Sequence, residues 1–397
     1  MGNARVAAVE CRTYEPAEVG AAVERLFELS GASGGPGGAL RVLGQGPGAK
    51  CLVKPNLLSP TVPQKAVTTH PSVVEAVIRT LVKAGAQVVV GDSPGRGDTL
   101  QAAEASGVAD ACRRAGARLC EFVEESLVKH PGGRICKEFV LTKEVAERPV
   151  LVNVAKMKTH GFMVYTGAVK NLFGCVPGTR KAALHLRYPG EREFGAMLLD
   201  LLTLVRPAVS VLDAVIAMDG NGPSQGRPRP FGALLASTDA VALDVVALEL
   251  AGVDPMKVPY LRLAREAGIG ETRLGDIQVV GEPLESLRVD DFMLPDSAGP
   301  RSILRLGERA RRFVTASPWV SASECVGCGQ CARSCPAQAI EIAARKAVID
   351  HSNCIRCYCC HELCPAGAVK LSSGALARLA DRVLAGFDRR KDPRRSR

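Results

Sequence analysis

Eight of the chain's fifteen cysteines lie near its C-terminal end as one spacing written twice. The first run is Cys325, Cys328, Cys331 and Cys335, closed by Pro336; the second is Cys354, Cys357, Cys360 and Cys364, closed by Pro365. Each reads C-x2-C-x2-C-x3-C-P, a spacing that lets three thiolates wrap one cubane while the fourth reaches its neighbour. The expected ligand sets are therefore Cys325, Cys328, Cys331 and Cys364 for one 4Fe–4S cluster, and Cys354, Cys357, Cys360 and Cys335 for the other. Zinc sites show separated pairs of ligands instead of runs of four. Disulfides would need an oxidising compartment, and the opening MGNARVAAVE carries no export signal.

This region resembles a bacterial-type two-cluster ferredoxin domain, a small α+β unit. It spans about 55 residues, a size at which an apolar core alone is marginal, so cluster binding would also stabilise the fold. Alternation at Ile340 and Ile342, then Val348 and Asp350, predicts a short hairpin between the halves. Cys359, between two ligands, reads as a packed or free thiol.

With 397 residues the chain has room for two or three domains. A hydrophobic fraction of 47% with only 4% aromatics describes an Ala/Val/Leu core. No apolar run reaches the roughly 18 residues of a membrane span. Fifteen cysteines without an export signal predict a reducing, cytoplasmic setting. The net charge of +10 gathers partly in the tail Gly386–Arg397, which reads as a solvated end. One Trp and five Tyr leave little for base stacking, so nucleic acid is not an expected partner.

Residues 1–290 alternate short β-branched runs with helical patterns, predicting an α/β domain with a mainly parallel sheet and flanking helices. Expected strands are Val6–Val9, Cys51–Lys54, Gln87–Gly91, Leu119–Val123, Val150–Val154, Ser210–Asp213, Ala233–Ala236 and Ile277–Val280. Expected helices are Ala17–Leu29, Ser72–Ala84, Thr99–Ala115, Glu193–Val205, Asp239–Ala251 and Met256–Ala267. In the second, Val73, Val74, Val77, Ile78 and Leu81 form an apolar stripe, with Pro71 in the first turn and Thr69 or His70 as cap. Gly31–Gly48 reads as a Gly/Pro-rich loop. It is no phosphate loop, since Lys50 is followed by Cys51 and by a strand. A connector with one helix is expected over 291–317, the ferredoxin unit over 318–372, and a helix with a basic tail over 373–397.

Polar clusters follow several predicted strands, where open α/β sheets bind ligands. They are Lys54-Pro55-Asn56, Asp92-Ser93-Pro94-Gly95, and a richer set of Lys156, Lys158, Thr159, His160, Lys170 and Asn171. Basic side chains interleaved with Gly and Thr suit an anionic ligand. Lys158 and His160 are the candidate catalytic residues, and Lys156, Lys170 and Asn171 the candidate ligand- or cofactor-binding ones. Asp213 and the Asp219–Gly226 loop complete the polar set; His70 reads as a helix-entry residue and Cys175 as a buried structural thiol.

The motifs KPN at Lys54, TTHP around His70, GDSPG at Gly91, KMKTH ending at His160, TGAVKNLFG from Thr166 and AMDGNGPSQG from Ala217 resemble the domain of unknown function 362 family over roughly residues 1–290. The resemblance implies an α/β domain with a pocket, often fused to a two-cluster ferredoxin unit, and supplies no substrate. Two functions are expected from different classes. In the first, two clusters pass electrons to a substrate or cofactor in the large domain, as in a ferredoxin-linked oxidoreductase. In the alternative, a ferredoxin-like relay uses the large domain only to dock partners or bind a small anion. A redox partner protein is expected in both. Gly91–Gly97 lacks dinucleotide spacing, so nicotinamide is not expected, and flavin stays open.

Overall fold

The computed structural model describes residues 4–30, 48–147, 149–298 and 315–372. In chain order the strands are β1 (Ala4–Glu10), β2 (Lys50–Lys54), β3 (Gln87–Val90), β4 (Arg118–Leu119), β5 (Glu125–Lys129), β6 (Glu138–Thr142), β7 (Val150–His160), β8 (Val164–Thr166), β9 (Val209–Asp219), β10 (Arg227–Ser237) and β11 (Ile277–Gly281). Nine of these join in one sheet of order β11-β1-β10-β9-β7-β2-β3-β4, with β8 folded back on β7. Five pairings are parallel: β1 with β11, β9 with β7, β7 with β2, β2 with β3, and β3 with β4. Only β10 and the short β8 run antiparallel to their neighbours.

The period of two along each strand sorts side chains into two cores. Ala7, Val9, Val53, Val90, Val152 and Val154 pack with the helices Pro16–Leu29 and Pro71–Lys83. Val6, Ala8, Leu52, Leu151, Ala155 and Met157 pack with Glu191–Val205, Ala240–Leu250 and Pro259–Ala267. The result is a helix–sheet–helix sandwich. Pro71–Lys83 buries Val73, Val74, Val77, Ile78 and Leu81, each contributing about 1.5–3 kcal/mol when fully buried. His70 caps it, its side chain accepting a hydrogen bond from Ser72 N.

Several expected boundaries move. The helix expected over Thr99–Ala115 is two helices, broken at Gly107 with φ +76°. The strand expected over Leu119–Val123 ends at Leu119, because Phe122 N leaves the ladder to donate to Thr99 Oγ1. The largest change is β7, which runs on to His160 instead of stopping near Val154. The β5–β6 hairpin, β8 and the helix Gly178–Arg187 were not expected at all. The Gly/Pro-rich stretch 31–47, most of the connector and the tail lie outside the described residues.

In the C-terminal unit β12 (Ser317–Val320) pairs antiparallel with β15 (Val369–Ser372), and β13 (Ile340–Ala343) pairs with β14 (Lys346–Ile349) as the expected hairpin. Two short helices, Gln330–Arg333 and Cys359–Glu362, occupy equivalent places in the two cysteine runs. Gly327 and Gly329 take positive φ in the first run, whereas the equivalent positions of the second are Arg356 (φ +56°) and Tyr358 (φ +61°). Left-handed backbone at a residue with a Cβ costs roughly 1–2 kcal/mol. Here the side chains reach outward. Arg356 donates to Thr315, and Tyr358 donates to Ala316 O while its ring meets Phe162 edge-on.

The large domain holds this unit through its Asn221–Gln225 loop. Ser224 donates to Glu362 O, Gln225 donates to His361 O and Val369 O, and the His361 ring faces Asn221 O. Replacing Gln225 by Ala removes two of these hydrogen bonds, to His361 O and Val369 O. The expected outcome is faster hydrogen exchange across residues 358–372 with the large-domain core unchanged, read by exchange mass spectrometry.

Candidate functional site: a cationic cavity between the sheet and the iron–sulfur unit

The extension of β7 builds the site. Lys156, Lys158 and His160 occupy alternate positions on one face of the strand, opposite Ala155 and Met157. They have different surroundings. Lys156 Nζ is fully buried between Asp213 (2.9 Å) and Tyr14 Oη (2.8 Å), sealed under the stacked Tyr14 and His70 rings. Lys158 Nζ donates to Asn56 Oδ1 (2.8 Å) and Val67 O, and no carboxylate among the described residues pairs with it. His160 Nδ1 accepts from the backbone N of Phe162 and of Met163, shaping a turn that ends in Val164 at φ +67°. A β-branched residue in that region is strained, and the histidine contacts help hold it there.

With Nδ1 occupied as an acceptor, a neutral His160 carries its proton on Nε2. Nε2 has no hydrogen-bond partner among the described residues and lies 3.5 Å from Glu362 of the iron–sulfur unit. Burial holds the imidazole well below its usual pKa, reinforced by the Lys170 cation.

Lys170 and Asn171 come from the short helix Ala168–Asn171, capped by Asp244, which accepts from Ala168 N and Val169 N. Burial pushes the Asp244 carboxyl up to about 7. Asn171 belongs to a chain of oriented amides. Lys158 donates to Asn56, Asn56 Nδ2 donates to Asn171 Oδ1, and Asn171 Nδ2 donates to Asn153 Oδ1. Asn153 then donates to Ala168 O and Ser210 Oγ. Such a chain fixes every amide orientation, so Asn171 positions Lys158 from behind.

Around these residues lies a cavity of about 370 Å³. Lys158, His160, Thr166 and Lys170 form one wall; Asp92–Gly97, Lys181 and His185 form another; Arg333, Cys359 and Glu362 of the iron–sulfur unit form the third. Lys156 does not reach it. Lys181, on the helix Gly178–Arg187, donates to Ser93 O and Pro94 O. Asp92 pairs with Lys54 at 2.7 Å beneath Gly174, where any Cβ would collide with that pair. Lys170 Nζ has no hydrogen-bond acceptor among the described residues. His160 Nε2, Thr166 Oγ1 and His185 Nδ1 are also unpartnered. Burial lowers the Lys158 ammonium to about 7, Lys181 to about 8 and His185 to about 3.

Sequence reasoning thus named Lys158, His160, Lys170 and Asn171, all of which line the cavity, and Lys156, which does not. It missed Lys181, His185, Arg333 and Glu362. Of these only Lys181 and His185 share a legible signal, four residues apart on one helical face.

The cysteines fit iron–sulfur clusters. None is in a disulfide. Cys325, Cys328, Cys331 and Cys364 line one small cavity together, which is the set expected from the spacing. Cys354 and Cys360 both feel the charges of Cys357 and Cys335, so these four thiols also gather at one place. Cys359 is buried, hydrogen-bonded to Cys357, and stands at the wall of the cationic cavity.

Fold and cysteine sets together define an α/β protein with an attached iron–sulfur electron-transfer unit. The 4Fe–4S dicluster domain matches residues 324–368, and the family described as Domain of unknown function (DUF362) matches residues 51–249. The chain belongs to that family. It is 33% identical over 302 residues to a thylakoid-associated protein of Synechocystis sp., covering 74% of this chain and 89% of that protein. The lactate racemase apoprotein from Thermoanaerobacterium thermosaccharolyticum is a distant likeness, at TM-score 0.38 and 13% identity over 60% of this chain and 55% of that one. No helix among the described residues is long and apolar enough to cross a membrane.

Two outcomes are expected. Cys357→Ala lowers iron from about eight to about four per chain, counted after anaerobic reconstitution. Binding of sulfate in the cavity, read by calorimetry, weakens as pH rises from 6 to 9, because Lys158 and Lys181 lose their charge above about 7 and about 8.

Proposed function

We propose that the protein is a ferredoxin-linked oxidoreductase that reduces a small anionic substrate in the cationic cavity. The observation that carries this reading is the composition of the cavity wall. The helix bearing Cys360 also presents Cys359 and Glu362 to the same space as Lys158, His160 and Lys170. A ligand there touches the iron–sulfur unit and the large domain at once.

The clusters, when bound, supply one electron each. A two-electron reduction then needs two protons, and the external reductant is a low-potential one-electron carrier. Lys158, Lys170 and Lys181 hold the carboxylate or phosphate of the substrate, where burial strengthens each charge-assisted hydrogen bond. The neutral His160 points its Nε2–H into the cavity as a hydrogen-bond donor, and the ammonium groups of Lys158 and Lys181, lowered to about 7 and about 8, supply the two protons. Tyr358, Gln225 and His361 hold the electron-delivering helix at this distance, which makes transfer intramolecular.

The test is reoxidation of dithionite-reduced protein by a panel of 2-oxo and 2-enoic carboxylates, followed anaerobically by absorbance. A member of the panel that reoxidises the wild type supports the reading. Lys158→Ala combined with His160→Ala is expected to keep the iron content and to lose this reoxidation by at least about a hundredfold. Unchanged turnover in the double variant would move the site elsewhere.

A further inference from the structure

Each ligand set has two buried thiols, Cys325 and Cys331 in the first and Cys357 and Cys360 in the second. Cys328, in the first set, is the one exposed thiol of the eight. Beside it Val326 is 66% exposed and Ile342 is 40% exposed, two apolar side chains on the rim of the first cysteine pocket. Single exposed apolar residues are ordinary, but a pair at the open side of a redox centre has the make-up of an interface core.

Charge surrounds this pair. The exposed Arg333 lies next to Gly329, and the exposed Arg345 holds its carbonyl against Gly327. Lys346 donates to Cys325 O. The nearby carboxylates do not offset them: Glu324 is paired with Lys370 at 2.9 Å, and Glu341 alternates to the other face of its strand from Ile342.

The hairpin turn adds an independent observation. Ala344 (φ +46°) and Arg345 (φ +61°) are the two central residues between β13 and β14. A two-residue turn with both φ positive favours Asn-Gly, yet this chain has Ala-Arg. A strained residue with no structural partner for its side chain points to a use outside the fold. Arg345 makes no hydrogen bond or ion pair among the described residues, and it is exposed with its backbone against Gly327 of the first run.

We propose that this rim, formed by Val326, Cys328, Ile342, Arg333, Arg345 and Lys346, docks a small acidic one-electron carrier protein. The first cluster is then the entry point and the second the exit toward the cavity. A cluster held by Cys325, Cys328, Cys331 and Cys364 would gain the one electron that the reduced carrier loses. The carrier departs oxidised, with no proton or atom transferred. This rests on the electron-transfer reading of the unit, and the experiment separates the two.

The cluster-loaded protein is mixed anaerobically with a reduced acidic [2Fe–2S] ferredoxin in a stopped-flow instrument, and separately with dithionite. For the wild type the rate with ferredoxin is expected to fall steeply as salt increases, as steered association does. Arg345→Glu and Val326→Glu are expected to slow that rate about tenfold or more at low salt and to weaken ferredoxin binding in a titration, with reduction by dithionite unchanged. The double change Ala344→Asn with Arg345→Gly guards against misfolding: it is expected to raise the melting temperature while slowing the ferredoxin reaction. Equal ferredoxin rates and affinities in wild type and all variants, with dithionite reduction intact, overturn the docking surface alone. Failure of dithionite to reduce the wild-type clusters overturns the electron-transfer reading and this inference with it.

Discussion

The arrangement turns on cations held out of water. Lys54, Lys156, Lys158, Lys170 and Lys181 all come from the segments that end or follow the central strands; the first four are buried and Lys181 is half-buried. Moving an ammonium from water into a protein interior costs several kcal/mol unless its protons find partners. Two of the five have a carboxylate: Lys54 has Asp92 and Lys156 has Asp213. Lys158 and Lys181 make do with amide and carbonyl oxygens, and Lys170 has none among the described residues. A neutralised pair can serve as a strut. A buried cation without a counter-ion is a standing debt that an anion settles, so Lys158, Lys170 and Lys181 mark the binding end of the site.

That distribution explains the course of the backbone around the cavity. β7 can carry lysine at alternate positions only because Asp213 lies opposite one and the Asn56–Asn171–Asn153 chain terminates the other. Asp244 keeps the short helix with Lys170 in place by taking two of its free N–H groups, the usual use of a carboxylate at a helix start. Gly167 and Gly174 are required because any side chain would strike Asp244 or the Lys54–Asp92 pair. The glycines and asparagines of this region follow from the placement of the charges.

The cysteine ligand sets were legible from spacing, because cubane geometry imposes a short and specific ligand run. Most core strands and helices were legible from periodicity. The end of β7 was not, since Lys-Met-Lys-Thr-His has the composition of a loop and becomes a strand only through partners far away in sequence. Lys156 was grouped with Lys158 for the same reason: two residues apart, they read alike, and only Asp213 and Tyr14 tell them apart. Glu362 and Arg333 were invisible as cavity residues, because which face of the iron–sulfur unit meets the sheet is not written locally. The Asp219–Gly226 loop read as part of the polar set; its Ser224 and Gln225 instead hold the iron–sulfur unit.

The two halves of the iron–sulfur unit repeat one another except where glycine gives way to Arg356 and Tyr358. Their left-handed backbone is tolerable because the side chains are anchored on Thr315, Ala316 and the Phe162 ring. Excised from the large domain, the second half would lose the Phe162 contact and keep the backbone penalty, whereas the glycine-bearing first half would be little affected. The repeat is thus symmetric in its metal chemistry, each half lending its fourth cysteine to the other's cluster, and asymmetric in its attachment, because the second half spends its strained residues on contacts outside the repeat.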